Sequence, residues 1–234
     1  MQRYFSNKKI DNKLELISDD LYHIKTVMRM KNDDLIEVVY NQKLYICKVN
    51  LQSNMVNIDH EVSNNNDDVE ITLVIPLLKE AKMDLIMQKS SELGVSKIIP
   101  IETERSIIKL DNNKFEKKRE RWQKICKEAS EQSKRLTIPI VEHITTFDTL
   151  RQLNGVKLVC STAEKTKNLK NILQTKDKCA KLVLAIGPEG GFTALEENAF
   201  ISCGFERVSL GNRIMRVETV PLFLLSIINY IYME

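Results

Sequence analysis

Five consecutive apolar residues, Leu182-Val-Leu-Ala-Ile186, run directly into Gly187-Pro188-Glu189-Gly190-Gly191, and this junction constrains the fold more than any other stretch of the chain. A short apolar run bounded by glycine and proline has the pattern of a strand buried on both faces, and such a strand requires helices above and below its sheet. Comparable runs recur at 71–76, 96–101, 157–160 and 207–210. Between them lie helical patterns. In 79–93, Met83, Ile86, Met87, Ser90 and Leu93 share one face and Gly94 stands where a C-terminal cap belongs; in 112–133, Phe115, Trp122, Ile125, Cys126 and Ala129 do the same. Strands alternating with helices predict an α/β domain on a mostly parallel sheet.

Residues 1–58 read differently. Lys13-Leu-Glu-Leu-Ile alternates, and the runs 34–40 and 43–49 flank a short Asn41-Gln42 turn, so a small sheet or barrel is expected. Asp19 or Asp20 is positioned to cap a helix reaching Met30, with Leu21, Ile24, Val27 and Met28 on one face. The polar run 60–68 has no periodicity and reads as a linker. Two domains are expected, 1–69 and 70–234.

A chain of 234 residues with 43% apolar side chains buries a core without staples. Its cysteines, Cys47, Cys126, Cys160, Cys179 and Cys203, are odd in number and never paired as C-x-x-C, which points to a reducing compartment. The start carries no secretory or lipidation pattern, so a cytoplasmic location is expected. The apolar stretch 220–233 is interrupted by Ser226 and Asn229 and is shorter than the roughly 20 residues that cross a bilayer, so it reads as a buried helix with no membrane role. His23, His60 and His143 lie far apart, and no metal site is expected. Net charge is +3, but 104–135 holds 11 basic and 6 acidic residues. That local excess fits either a solvated helix face or a phosphate-binding one.

Two loops carry the candidate chemistry. In the first, 187–191, backbone groups at the end of a strand can approach a ligand closely, and Thr193 with Glu196 has capping-box spacing for the helix after it. It is neither G-x-x-x-x-G-K-[ST] nor G-x-G-x-x-G, which removes the triphosphate and dinucleotide readings. The second, Leu210-Gly211-Asn-Arg213-Ile-Met-Arg216-Val-Glu218-Thr219, packs two arginines, a carboxylate and a hydroxyl ahead of the last helix. In a parallel sheet, loops at the carboxyl ends of neighbouring strands converge on one crevice.

Together these loops resemble the signature of the bacterial 16S ribosomal RNA uridine N3-methyltransferases, in the SPOUT superfamily of knotted methyltransferases. The stretches 23–29, 89–94, 104–106, 121–122 and 128–135 agree, so the resemblance covers essentially the whole chain; Met215, Val217 and Val220-Pro221 depart from it. It implies an N-terminal PUA-like β-barrel that binds RNA, a C-terminal α/β trefoil-knot domain, a homodimer, and S-adenosylmethionine as cofactor. The implied cofactor loops supply Ser161, Thr162, Ala163 and Glu164; Ile186, Gly187, Pro188, Glu189 and Gly190; and Leu210, Gly211, Arg213, Ile214 and Met215. Arg216 and Arg105 are the candidates to stabilise a uracil anion during methylation at N3, and Glu218 to take its proton or orient Arg216. Small-subunit ribosomal RNA, or the assembled subunit, is the implied partner, met by Arg3, His23, Arg29, Lys89, Arg121, Lys124 and Arg135. The alternatives are a ribose 2′-O-methyltransferase of the same fold on ribosomal or transfer RNA, and a non-catalytic RNA-binding assembly factor.

Overall fold

The computed structural model describes residues 1–63, 69–106, 108, 110–175 and 181–232. The chain divides into two compact units, Met1–Asp67 with Ser130–Thr137, and Asp68–Ala129 with Ile138–Glu234.

In the first unit, β1 (Arg3–Phe5), β2 (Lys9–Ile10), β3 (Lys13–Glu15), β4 (Leu35–Tyr40), β5 (Lys43–Lys48) and β6 (Met55–Val62) form a sheet of order β1-β4-β5-β6-β3-β2. Only the β1–β4 pair is parallel. Asn41 and Gln42 join β4 to β5 with φ of 48° and 62°. Two successive left-handed residues make a turn whose twist matches that of the flanking strands. Leu14, Ile36, Val38, Cys47 and Val56 point inward, and Ile24 closes the core from a helical segment.

That segment differs from the expected helix through Met30. It is a short α1 (Ser18–Tyr22) continued by a π-helical turn over His23–Val27, with Ile17 at the N-cap and no side-chain cap. The extra residue in the turn rotates the succeeding side chains by roughly 100°. Val27 and Met28, expected on the buried face, are therefore 58% and 46% exposed. The expected linker is also shorter than its polar composition suggested: 60–62 complete β6, while 64–68, like Cys179, lie outside the described residues.

The second unit is built on β7 (Glu70–Pro76), β8 (Lys97–Ile101), β9 (Ile140–Val141), β10 (Val156–Cys160), β11 (Lys181–Ala185) and β12 (Glu206–Val208), in the order β12-β10-β11-β7-β8-β9. Every pairing in it is parallel. The helices are α2 (Glu80–Glu92), α3 (Asn112–Gln132), α4 (Phe147–Arg151), α5 (Leu169–Thr175), α6 (Ala194–Ser202) and α7 (Thr219–Tyr232). Strand alternation separates two cores. Ile71, Leu73 and Ile75 meet Met83 of α2, Trp122 of α3, Leu173 of α5 and Leu224 of α7, whereas Val74 meets Leu150 of α4 and Phe200 of α6.

Several local signals act as the sequence suggests. Gly94 follows α2 at φ +90°, a conformation that a side chain would resist. Trp122 is 2% exposed and packs edge-to-face on Phe115 at 6.0 Å, so its role is in the core. The apolar C-terminal stretch is α7, buried through Leu224, Leu225 and Ile228, and Asn229 donates to the Leu93 carbonyl at 2.9 Å. No helix among the described residues is long and apolar enough to cross a membrane.

Candidate active site

β11 pairs with β10 and β10 with β12, so the loops leaving their carboxyl ends emerge side by side. They enclose one cavity of about 690 Å³, a volume typical of small-molecule sites. Its walls include Ser161 and Thr162 after β10, 186–192 after β11, and Leu210, Gly211 and 213–217 after β12. Of the expected cofactor residues, all line it except Ala163 and Glu164.

Glu164 turns away for a local reason. Its Oε1 accepts from Thr166 Oγ1 at 2.7 Å and from the amides of Lys165, Thr166 and Lys167 at 2.9, 2.7 and 3.1 Å. The Thr166 hydroxyl and then the backbone amides hold its carboxyl at about 2, so it stabilises its own loop as an anion. Ala163 turns with it, its amide donating to Ser161 Oγ at 3.2 Å.

The glycine loop is crowded from behind. A Cβ on Gly187 would lie 3.1 Å from the Phe192 nitrogen, and one on Gly190 would lie 3.2 Å from Arg105 Cδ. Arg105 crosses this loop and donates from Nη1 to the Gly190 carbonyl at 2.6 Å. The capping box at α6 forms as spaced, with the Glu196 amide donating to Thr193 Oγ1 at 3.2 Å and the Thr193 amide to Glu196 Oε2 at 2.8 Å. Glu196 Oε1 also accepts from the Glu104 amide at 2.8 Å, so the cap of α6 fixes the turn that carries Arg105.

Arg216 lines the cavity and is exposed. Its carbonyl accepts from the Thr219 amide at 2.9 Å and the Val220 amide at 3.2 Å, which closes a tight turn at the start of α7. Glu218 sits inside that turn and does not line the cavity. It pairs with Lys82 Nζ of α2 at 3.0 Å, and Lys82 also pairs with Glu189 of the glycine loop. Glu218 is held below the usual carboxylate range, first by a hydrogen bond from its own amide, against its burial, with Lys82 and Arg216 adding. Glu189 and then Glu218 raise Lys82.

Sequence reasoning missed Lys82, Phe192 and Glu197, all of which line the cavity. Glu197 accepts from Ser161 Oγ at 2.8 Å and Arg207 Nε at 2.7 Å. Its position beside the capping Glu196 was the one available signal. Cys160 also lines the cavity, but burial pushes its thiol up to about 12, which removes it as a nucleophile.

The residues expected to meet RNA divide. Arg3 is drawn inward: its side chain is 7% exposed, Nε pairs with Glu37 at 2.7 Å, and Nη1 donates to the carbonyls of Lys134 and Arg135. Its guanidinium organises the first unit. His23 is half-buried, with Nδ1 2.9 Å from the Tyr4 hydroxyl, while Arg29 is exposed at φ +51°. In the second unit Lys89 pairs with Glu92 at 2.8 Å, and Arg121 pairs with Glu80 and Asp84. Lys118 and Arg119 pair with Glu80 and Glu116, so much of the basic excess on α3 is an ion-paired helix face. Lys124 is exposed, and in the first unit Arg135 donates to Thr137 Oγ1 at 3.2 Å.

Residues 65–229 match the family model described as an RNA methyltransferase domain. The chain is 36% identical to ribosomal RNA small subunit methyltransferase E of Bacillus subtilis, over 98% of this chain and 96% of that protein. It is 35% identical to the protein of that name from Mesomycoplasma hyopneumoniae, over 97% and 98%. Among solved structures, ribosomal RNA small subunit methyltransferase E from Neisseria gonorrhoeae bound to S-adenosylmethionine matches with a TM-score of 0.87 at 29% identity, over 99% and 98% of the two chains.

Proposed function

Since the chain belongs to the ribosomal RNA small subunit methyltransferase E family, we propose that it methylates N3 of one uridine in 16S ribosomal RNA, with S-adenosylmethionine bound in the cavity between the three loops. One observation carries this reading: two arginines from different loops, Arg216 and Arg105, stand on the wall of a single glycine-lined pocket at the carboxyl edge of a parallel sheet.

The pocket suits that cofactor. Ile186, Leu210 and Val217 offer an apolar surface for a planar base, the backbone of 187–191 and 210–215 supplies hydrogen-bonding groups, and Glu197 presents a carboxylate to hydroxyls or to positive charge. When bound, S-adenosylmethionine supplies a methyl group already activated on a sulfonium. The protein's remaining work is alignment and the loss of one proton from a weakly acidic imide. As the N3–H proton passes to bulk water, negative charge spreads to O2 and O4 of the uracil, and Arg216 and Arg105 stabilise it through charge-assisted hydrogen bonds. Glu218 keeps Arg216 in place.

The first unit acts in this reading as a PUA-like RNA-binding domain, with His23, Arg29 and Arg135 contributing from it and Lys89, Arg121 and Lys124 from the second unit. The surface ion pairs of Lys89 and Arg121, each worth about 0–1 kcal/mol, exchange readily for phosphate. The C-terminal segment through α7 is threaded as a trefoil knot, and the enzyme works as a homodimer in the cytoplasm. The test is genetic: 16S ribosomal RNA from a strain lacking this gene loses one N3-methyluridine, which the intact gene restores and an Arg216→Ala copy does not. An unchanged set of modified nucleosides overturns the proposal.

A further inference from the structure

Lys82 has no counterpart among the residues that the two signature loops bring forward, yet among the described residues its ammonium pairs with both of them. It stands in the first turn of α2, with its side chain 28% exposed. Its ammonium touches Glu189, in the loop after β11, and Glu218, in the loop after β12. The two contacts differ in environment. Glu189 is 52% exposed, so water and salt screen its attraction, whereas Glu218 is 15% exposed and its pairing is screened less.

Glu218 lies within the turn closed by the Arg216 carbonyl and the amides of Thr219 and Val220. A constraint on Glu218 therefore fixes the backbone from which Arg216 projects. On the other side, α2 is anchored to the fold independently of either loop: Met83, Ile86 and Met87 are fully buried in the core under the sheet, and Asn229 ties the end of the helix to α7. The cation is thus mounted on rigid structure, while its partners are irregular segments.

We propose that Lys82 is a positioning residue for methyl transfer: it couples the cofactor loop to the α7 entry turn and holds Arg216 at the pocket wall. The inference rests on the assignment of Arg216 above. A displacement of about 1 Å at a catalytic group can reduce turnover by about 100-fold without a direct contact being lost.

The experiment is a thermodynamic cycle on the full-length protein with Lys82→Met, Glu218→Gln and the double variant, together with Lys82→Arg. Turnover on small-subunit ribosomal RNA, calorimetric affinity for S-adenosylmethionine, and amide hydrogen exchange of 210–219 are measured for each. Lys82→Met is expected to reduce kcat by about 10- to 100-fold while affinity for the cofactor changes by no more than about threefold. The double variant should lose no more than Lys82→Met alone, and exchange in 210–219 should rise in both single variants. Lys82→Arg should recover most of the turnover. Multiplicative losses in the double variant, undisturbed exchange, or a turnover unaffected by Lys82→Met would overturn the proposal. If the wild-type protein itself transfers no methyl group, the functional assignment fails instead, and the exchange data still report whether Lys82 holds the turn.

Discussion

Arg216 and Glu218 lie two residues apart in the chain, yet one reaches the cavity and the other is drawn back to a lysine on α2. Arg216→Ala is expected to leave affinity for S-adenosylmethionine nearly unchanged and to lower kcat by about 100-fold or more, the scale of removing one transition-state donor; parallel calorimetry and kinetics check it, and equal loss of both contradicts the role. Glu164 makes a different prediction. Its folded pKa is depressed from 4.5 to about 2, so the stability it contributes is present in full above pH 4.5 and is lost as pH falls toward 2. Thermal melts of wild type and Glu164→Gln should therefore differ at neutral pH and converge across that window. Glu164 stands outside the cavity lining because four nearby donors, invisible in the sequence, capture its carboxylate. Arg3 is engaged for the same reason: Glu37 is distant in sequence and directly across in space, and burial, which alone would raise Glu37, is outweighed by hydrogen bonds from Lys134 and Arg3.

Elements were legible where local chemistry is self-contained. The capping box of α6, the Asn41-Gln42 turn and the Gly94 cap each involve residues within a few positions of one another, and each forms as read. The helix after Asp19 was not legible in full, since a π-helical turn depends on how Ile24 must be buried rather than on propensity. Because Glu196 both caps α6 and holds the Glu104 amide, its partner residue gives a clean test of the cap alone. Thr193→Ala should lower stability by about 1 kcal/mol, measured by chemical denaturation. A loss of several kcal/mol would mean that the hydroxyl supports more than the helix end.

The whole molecule joins a small mixed sheet to a parallel one, and only the second could be derived in detail from periodicity, because buried parallel strands announce themselves as continuous apolar runs. Which loops meet was legible too: strands that are neighbours or next neighbours deliver their carboxyl ends to the same crevice, and 187–191 and 210–216 do line one cavity. Lys82 and Glu197 were invisible beforehand because their positions depend on how α2 and α6 cross the sheet. At this scale ligand binding should register as stability, with saturating S-adenosylmethionine at about 100 times its Kd raising unfolding free energy by about 2.7 kcal/mol in a calorimetric melt. Binding to small-subunit ribosomal RNA should weaken steeply as salt rises; indifference to salt would remove the basic residues from that role. The most direct measurement is a crystal structure of the protein grown with S-adenosylmethionine. The cofactor is expected between 186–191 and 210–215, with its methyl group turned toward Arg216; density for it elsewhere on the molecule, or an Arg216 pointing away from the methyl group, would contradict the assigned site.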